Sequence, residues 1–423
     1  MMLPEREVLA LHRAITAIRS VSGEEGELAG YLEQWWRRRG VVPLRLGNSL
    51  LLLSPLPPAA APPPVLLLDT HLDTVPPAPG WTRDPWDSRP AGGKVHGLGA
   101  NDAKAAVAGM IAAFAAFAEV ELPFTLALAL VEGEETRGTG TVAVLAELAR
   151  QGRRPVAAVI GEPTGLDLAV AQKGLLVLEL VARGEACHAA HAQALGAANA
   201  ARRLAHDLVA LEAVDLGPPH ERLGPVTVEP TQLRAGTARN VIPGEATAVL
   251  DVRTTPVLAP AEVVQRIRRA VSGEVRVLSD RLVPRETPAG AAVVEAARRV
   301  RPEARLYGSA TLSDMVFMAG IPAVKCGPGS SERSHTADEF VWESEVIAGA
   351  RFYSRLVGSF AELQAAGLQV AELQAGMPGA ATGGGATVAG GGVRPVHLAD
   401  SADRAGAPDE AAAAGAAAAA IRR

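Results

Sequence analysis

The sequence predicts an α/β fold: a mostly parallel sheet flanked by helices, with an inserted α+β domain that carries an antiparallel sheet. Three observations predict this. Short apolar runs alternate with helical patterns between residues 50 and 160, which is typical of a parallel sheet. After Lys173-Gly174 the pattern changes to that of a compact α+β unit. From about Thr287 the α/β pattern returns, so the second unit is predicted to be an insertion.

The first part of the chain gives the main α/β pattern. Residues 5–39 predict two amphipathic helices, because Val21-Ser22-Gly23 combines a break with a capping serine. A Pro/Ala-rich linker over residues 55–64 separates two apolar runs of buried-strand type. Asn101-Asp102 opens a long Ala-rich helix that reaches Phe117. The remaining predicted elements are strands at 50–53, 65–68, 125–131 and 156–160 and a helix at 140–151.

The predicted boundaries are a main domain over residues 1–174 and 285–365, interrupted by an inserted domain over residues 175–284. Within the insertion we predict strands at 175–181, 226–232 and 247–252 and helices at 196–214 and 261–271. The returning part has helices at 291–299 and 343–363 and the apolar run 321–325. Residues 366–423 are dominated by Ala and Gly. Such a tail buries too little apolar surface to offset its ordering entropy, so it is predicted to be disordered.

Composition excludes several classes of protein. The 423 residues are 48% hydrophobic and carry a formal charge of -5, without a Lys/Arg block interleaved with aromatics, which argues against a nucleic-acid partner. The N-terminus lacks the pattern of a signal peptide, and the longest apolar stretch is interrupted by Glu119, Glu121 and Pro123. With two cysteines, Cys187 and Cys326, no disulfide framework is expected. We therefore expect a cytoplasmic protein with no membrane partner.

Candidate metal ligands follow the predicted strands or open a helix. His71 comes after one apolar run and Glu134-Glu135 after the next, Glu162 follows a third, and Asp102 stands at the N-terminus of the Ala-rich helix. Ligands in open α/β sheets bind outside the carboxyl ends of the strands, so these loops meet at one edge. His335 adds a second histidine from a Gly/Ser-rich loop.

This mixture of His and carboxylate side chains suits Zn²⁺, and a shared Asp can bridge two metals. Asp73 could fix the ring orientation of His71. One carboxylate of the Glu134-Glu135 pair would bind metal, and the other would act as a base on water. Taken alone, each residue has a simpler interpretation: Asp102 as a helix cap, and the glutamate pair as a solvated loop. Their occurrence together favours a catalytic site.

The motifs resemble those of the zinc-dependent deacylase and peptidase family that includes acetylornithine deacetylase and succinyl-diaminopimelate desuccinylase. The resemblance covers about residues 5–363 and rests on four motifs in order: His71-Leu72-Asp73-Thr74-Val75-Pro76, Gly99-Ala100-Asn101-Asp102-Ala103-Lys104, Glu134-Glu135 and Gly161-Glu162-Pro163-Thr164. It implies a zinc-peptidase-like fold with an inserted dimerisation lid.

The resemblance also implies a role for each residue of the predicted metal centre. It assigns one zinc to His71, Asp102 and Glu162, and a second zinc to Asp102, Glu135 and His335. Glu134 is then the general base and Asp73 orients His71. The sequence does not fix the native metal, since Co²⁺ or Mn²⁺ are also chemically plausible.

The inserted domain carries further motifs of the family. His188 resembles the histidine that reaches a neighbouring active site across a dimer, with His191 as the alternative and Cys187 as a departure from the usual small residue. Asn240 and Arg253 resemble residues that contact substrate, and a guanidinium fork suits a carboxylate. Gly327 resembles part of a backbone-exposing loop close to substrate. A homodimer through the lid is the implied assembly.

A narrower resemblance concerns the substrate. Gly80-Trp81-Thr82-Arg83-Asp84-Pro85, Gln172-Lys173-Gly174 and the segment 308–314 resemble the N-acyl-ornithine deacylases of arginine biosynthesis. The implied reaction is hydrolysis of N-acetylornithine or N-succinylornithine. Alternatives are a succinyl-diaminopimelate desuccinylase, a dipeptidase or carboxypeptidase, and an inactive zinc-binding scaffold. The scaffold predicts a missing base, whereas Glu134 is present.

Overall fold

Helices and strands alternate along the described residues, 3–55 and 64–376, of a computed structural model. The α-helices are α1 Glu5–Thr16, α2 Gly26–Arg37, α3 Lys104–Phe117, α4 Thr139–Arg150, α5 Ala200–Leu211, α6 Pro260–Ala270, α7 Ala292–Val300 and α8 Glu343–Gly376. Two short 3-10 helices are η1 Asp314–Phe317 and η2 Ser331–Arg333.

The strands in the first half of the chain are β1 Leu44–Leu46, β2 Ser49–Leu53, β3 Val65–His71, β4 Pro90–Ala91, β5 Lys94–His96, β6 Thr125–Val131, β7 Pro155–Ile160, β8 Leu168–Gln172, β9 Gly174–Arg183 and β10 Cys187–His188. They are followed by β11 Thr227–Ala235, β12 Val241–Ile242, β13 Glu245–Thr254, β14 Glu274–Leu282, β15 Arg285–Glu286, β16 Leu306–Ser309, β17 Ala323–Lys325 and β18 Phe340–Trp342.

The main sheet has the order β1-β2-β6-β3-β7-β17-β8-β15, with β16 paired to β8. Its central strands β6, β3, β7 and β17 are parallel, whereas β1, β2 and β15 pair in antiparallel fashion at the edges. Side chains of β3 alternate between two faces: Leu66 and Leu68 join one apolar core, and Val65 and Leu67 join the other. Burial on both faces explains why these strands are continuously apolar.

Helix α3 is apolar on every side and packs against α1, β3 and β6. The structure corrects one detail of the sequence analysis. The helix begins at Lys104 with Ala103 as its N-cap, and no side chain caps it. Asp102, predicted to open the helix, lies before it and is therefore free to point elsewhere.

A separate four-stranded antiparallel sheet, here called the lid sheet, has the order β11-β13-β9-β14. Helices α5 and α6 cover one of its faces, where Leu204 and Ile267 contact the inward-facing residues of β9 and β13. Along β9 buried and partly exposed residues alternate, as expected when one face is covered. The predicted fold class, a largely parallel main sheet plus a lid with an antiparallel sheet, is confirmed. The domain boundaries stay a prediction.

The last helix is longer than predicted. We placed its end near Leu363, whereas α8 continues to Gly376. The rest of the Ala/Gly-rich tail, residues 377–423, lies outside the described residues, and the prediction of disorder stays a prediction there. Within residues 3–55 and 64–376, no helix combines the length and the apolar character needed to cross a membrane.

His12 is expected to make the stability of the folded chain depend on pH. The His12 ring is fully buried on α1, where Nε2 lies 2.8 Å from the carbonyl oxygen of Ala100 and Nδ1 has no hydrogen-bond partner among the described residues. Burial lowers the pKa of His12 to about 4, against the opposing effect of the bond to Ala100. The unfolded chain therefore takes up this proton near pH 6.5, before the folded chain does, and stability is lost as the pH falls from about 6.5 to about 4.

We expect His12→Gln, whose amide N–H can still donate to Ala100, to lose less stability than the wild type between pH 7.5 and pH 4.5. The difference should be roughly 2–3 kcal/mol in the free energy of unfolding, measured by urea denaturation with a chelator present. His206→Gln removes an exposed histidine of α5 and is the matched control. Equal pH dependence in all three proteins would refute this account of His12.

Candidate metal centre

The register of the main sheet brings the predicted ligands to one edge. His71, the last residue of β3, lies opposite Val131, the last residue of β6. Ile160, at the end of β7, pairs with Asp69 of β3 and with Lys325 of β17. The loops that follow these strands therefore emerge side by side at their carboxyl ends.

Three overlapping groups of side chains could each hold a metal ion, with all donor atoms of a group within 4.8 Å of one another. They are His71, Asp102 and Glu162; Asp102, Glu135 and His335; and His71, Glu134 and Glu135. The structure thus brings together all five residues predicted as ligands, and Glu134 with them. Asp102 belongs to both of the first two groups, and its role as a ligand shared by two metal ions stays a prediction.

Asp102 faces the two histidines with different oxygens. Its Oδ1 lies 3.2 Å from Nε2 of His71, and its Oδ2 lies 3.8 Å from Nε2 of His335. Glu162 Oε1 is 3.8 Å from His71 Nε2, and Glu135 Oε1 is 2.9 Å from His335 Nε2. His335 adopts a left-handed backbone with φ 60°, which is uncommon for a residue other than glycine. The Asp102 carboxylate therefore lies between the two histidine rings.

The electrostatics of the cluster fit a cationic occupant. Burial raises the pKa of Glu162 to about 8, although the positive charge of Lys325 opposes the shift. Burial also raises the pKa of Glu134 well above its usual range, and the charge of Glu162 raises it further. Buried carboxylates this close together repel one another, and divalent cations would remove that repulsion. The set of imidazole nitrogens and carboxylate oxygens is also one that Zn²⁺ accepts.

Asp73 supports the loop that carries the two glutamates. Its Oδ1 accepts a hydrogen bond from the Glu134 N–H at 3.0 Å, its Oδ2 accepts one from the Glu135 N–H at 3.1 Å, and Ser22 donates to Oδ2 at 2.7 Å. His71 Nδ1 lies 3.0 Å from the backbone oxygen of Asp73 and 3.5 Å from its carboxylate. Asp73 therefore contacts His71 as predicted, with its backbone closer than its side chain, and it also fixes the glutamate loop.

Sequence reasoning missed Glu339. This buried carboxylate accepts three backbone hydrogen bonds, from Gly99 at 2.9 Å, Asn101 at 2.8 Å and Asp102 at 3.0 Å. It thereby holds the loop that presents Asp102. Its position in the chain, four residues after His335, was the available signal, because a carboxylate so close to a proposed ligand is a natural support for the site.

We expect Glu339→Ala to weaken Zn²⁺ binding roughly 10–100-fold, because the Asp102 loop loses the acceptor that orders it. Competition with a chromogenic chelator measures the affinity. Glu332→Ala removes an exposed glutamate from the same segment and should bind as the wild type does. An unchanged affinity in Glu339→Ala would exclude this supporting role.

A second group missed from the sequence lies behind the cluster. The buried Thr141 hydroxyl is 3.2 and 3.1 Å from the two carboxylate oxygens of Asp69 and 2.7 Å from Oδ2 of Asp314. One hydroxyl donates a single hydrogen, so the two carboxyl groups share this donor. Burial raises the pKa of Asp69 well above its usual range, and the charge of Asp314 raises it further, which favours a protonated carboxyl at Asp69. This contact ties η1 to the strand that ends in His71.

Four further residues were predicted to contact the substrate or to stabilise the oxyanion. Three of them come from the segment between β9 and β14, and the fourth, Gly327, is described below. Arg253, on β13, binds Asp251 through Nε and Nη2 at 2.7 and 3.0 Å. His188 is exposed on β10, opposite Val241 of β12. Asn240 is also exposed, and its carbonyl accepts from the N–H of Ala189 at 2.8 Å. Within the described chain the lining of the cavity beside Glu134 does not include His188 or Asn240.

Gly327 is buried behind Glu162. Its N–H donates to Thr164 Oγ1 at 3.1 Å, and its carbonyl accepts from Leu166 at 2.9 Å. A Cβ at this position would lie 2.6 Å from the Glu162 carbonyl and the Tyr353 hydroxyl. Glycine is therefore required here for close packing. The substrate contact predicted for Gly327 stays a prediction, and its backbone groups are already engaged.

A cavity of about 450 Å³, here called the site cavity, adjoins the cluster. Its walls include Glu134, Glu135 and His335, together with Arg253 from the lid sheet and residues 311–314, 316 and 317 around η1. A volume of this size suits a small organic substrate. The cluster can therefore bring cations and a carboxylate base to a molecule bound in the cavity.

The sequence matches a known protein family and is similar to several known enzymes. The family described as "Peptidase family M20/M25/M40" matches residues 67–359, which include every residue of the cluster. Succinyl-diaminopimelate desuccinylase of Wolinella succinogenes is 30% identical over 304 residues, which cover 68% of this chain and 82% of that protein. The enzyme of the same name from Bordetella pertussis is 33% identical over 215 residues, which cover 48% of this chain and 55% of that protein.

Solved structures show the same fold. An M20 family metallo-carboxypeptidase of Sulfolobus solfataricus superposes with a TM-score of 0.67 at 18% identity, covering 85% of this chain and 100% of that chain. A dinuclear metal-binding peptidase of the M20 family from Bacillus subtilis gives a TM-score of 0.64 at 17% identity, covering 85% and 98%. At these identities the likeness concerns the fold alone.

Proposed function

This chain belongs to peptidase family M20/M25/M40 and is a hydrolase acting on amide bonds, and from that premise we propose that it uses two metal ions to remove the acyl group from an N2-acylated amino acid. The observation that supports this best is the placement of Asp102, whose two oxygens face His71 and His335 separately. N-acetylornithine and N-succinylornithine are the proposed substrates, with a place in arginine biosynthesis.

In this proposal His71, Asp102 and Glu162 hold one ion, and Asp102, Glu135 and His335 hold the other. Two such ions, Zn²⁺ or alternatively Co²⁺ or Mn²⁺, would polarise the amide carbonyl and lower the pKa of the attacking water. Asp73 keeps the glutamate loop in place through the N–H groups of Glu134 and Glu135. The side chains of that loop are thereby held against the substrate cavity.

Glu134 is proposed as the general base. Its carboxylate accepts a proton from the attacking water and then donates it to the nitrogen of the leaving amine, so that a carboxylic acid and a free amino acid are released. Its position in the same group as His71 and Glu135, and on the wall of the site cavity, supports this role. The presence of this carboxylate also disfavours an inactive scaffold.

Arg253, Asn240 and His188 complete the proposal from the lid. The Arg253 guanidinium lines the site cavity and is proposed to bind the α-carboxylate of the substrate. His188 is proposed to stabilise the oxyanion in the partner subunit of a homodimer, with Asn240 contacting the substrate there. The exposure of both side chains in a single chain is consistent with action on another copy.

The dimer proposal predicts complementation between inactive proteins. If His188 acts across the interface, mixing His188→Ala with Glu134→Gln protomers should restore up to about a quarter of wild-type activity, because one of the two sites in each mixed dimer is intact. Activity of the mixture, compared with each variant alone, is the measurement. An inactive mixture, in which native mass spectrometry detects the mixed dimer, would exclude action across the interface.

The substrate is tested by side-by-side hydrolysis of N-acetylornithine, N-succinylornithine and succinyl-diaminopimelate with metal-reconstituted protein. The last compound tests the second candidate, a succinyl-diaminopimelate desuccinylase, which is favoured by the names of the Wolinella and Bordetella relatives. We expect the highest kcat/KM for an acyl-ornithine. A clear preference for succinyl-diaminopimelate would replace this proposal with the second candidate, and hydrolysis of free dipeptides alone would exclude both.

A further inference from the structure

The site cavity is lined by basic as well as acidic side chains. Besides Glu134, Glu135 and His335, its walls include three arginines: Arg137, Arg253 and Arg281. They come from separate parts of the fold, because Arg137 lies two residues after Glu135, Arg253 is on β13 and Arg281 is on β14. Only Arg253 belongs to the proposed function as given above.

The three guanidinium groups differ in how their charge is balanced. Arg253 forms a bidentate pair with Asp251. Arg281 donates from Nη1 to the backbone carbonyl of Arg137 at 2.6 Å, a bond that orients the guanidinium without neutralising it. Among the described residues neither Arg137 nor Arg281 has a carboxylate within ion-pair distance, 4.0 Å. Two positive charges at the cavity wall therefore have no direct ion-pair partner among the described residues.

Another cation, Lys173, acts on Arg253 through its charge. Lys173, largely buried, donates to the carbonyl of Pro225 at 2.8 Å. Burial lowers the pKa of Lys173, and the charge of Arg253 lowers it further, which places these two cations within each other's field. Planar guanidinium groups bind carboxylates especially well, so Arg137 and Arg281 suit a carboxylate group of a molecule in the cavity.

We propose that Arg137 and Arg281 form a second anion subsite in the site cavity, and that the preferred substrates carry a carboxylate besides the one bound by Arg253. This inference rests on the proposed function and narrows its substrate class to N-acyl amino acids with at least two carboxylates. The additional carboxylate belongs either to a dicarboxylic acyl group or to the side chain of the amino acid.

Three substrates separate these sources. N-acetylornithine has one carboxylate, N-succinylornithine adds one on the acyl side, and N-acetylglutamate adds one on the amino-acid side. We expect kcat/KM of the metal-loaded wild type to be at least about 10-fold higher for one of the two dicarboxylates than for N-acetylornithine. The favoured compound identifies which side of the amide faces Arg137 and Arg281.

Arg137→Gln, Arg281→Gln and the double variant test the residues themselves. Each should lower kcat/KM for the favoured dicarboxylate roughly 10–100-fold and leave N-acetylornithine within about 3-fold of the wild type. Arg269→Gln removes an exposed arginine of α6 and is the control for loss of one positive charge. A merely structural role of Arg281 would lower the rates for all three substrates together.

Binding without turnover gives an independent measurement. Calorimetric titration of metal-loaded Glu134→Gln protein with the same three compounds should show the same preference, abolished by the added Arg281→Gln change. Equal affinities and equal kcat/KM values, or a preference that survives both arginine variants, would overturn the subsite. If the wild type hydrolyses none of the compounds, the proposed function fails, and the binding preference still decides whether the subsite exists.

Discussion

Glu134→Gln protein is expected to lose roughly 10²–10⁴-fold in kcat while it still binds both metal ions. The expected loss is that of a general base, because glutamine keeps the shape of the side chain but accepts no proton from water. Metal binding should persist, since the five proposed ligands are other residues. The measurements are kcat with N-acetylornithine or N-succinylornithine and metal content by elemental analysis.

Glu121→Gln is the matched control for this experiment, because Glu121 is exposed and precedes β6, whereas the glutamate pair follows that strand. It should retain wild-type kcat. Two results would contradict the assignment: retention of most activity by Glu134→Gln, or loss of one metal ion together with activity. The second result would mean that Glu134 is a ligand, an arrangement compatible with its place in the group with His71 and Glu135.

Asp102→Asn is expected to abolish the stabilisation that metal gives the wild type. A ligand that binds only the folded protein adds about 2.7 kcal/mol to stability at a free concentration 100 times its Kd. Asp102 contributes to both proposed sites, so its replacement weakens both at once. Hydrolytic activity should fall with the metal content, by at least about 100-fold.

The measurement is the melting temperature with and without Zn²⁺, for the wild type and for Asp102→Asn. Asp215→Asn, a change at an exposed aspartate, should keep the full shift. His335→Ala removes a proposed ligand of one site only and should keep part of the metal-induced shift in melting temperature. A full metal-induced shift in Asp102→Asn would rule out a carboxylate shared between two ions.

The positions of the ligands could be predicted because a parallel sheet imposes a simple rule. His71 and Glu162 follow strongly apolar runs, and such runs end together at one edge of the sheet. The same rule says nothing about His335, which approaches from a loop far along the chain. Its assignment came from the resemblance to a family, and the structure places its ring beside Glu135.

Features that depend on tertiary contacts could not be predicted. Strand β14 was missed because its sequence, EVRVLSDRL, mixes charged and apolar residues, as suits a strand at the edge of the lid sheet. The hydrogen bonds that Glu339 accepts come from residues at least 237 positions away in the chain, and no local sequence pattern reveals such bonds. The Thr141 hydroxyl likewise links Asp69 and Asp314 only when η1 packs against α4 in the folded protein. The assembly across a dimer stays a prediction.

The position of β17 has a consequence for synthesis of the protein. This strand of three residues lies between β7 and β8 in the main sheet, although it follows them in the chain by about 150 residues. A nascent chain on the ribosome that has not yet released Ala323 leaves the edges of β7 and β8 open, and open strand edges promote aggregation. Completion of the sheet therefore has to await release of β17 from the ribosome.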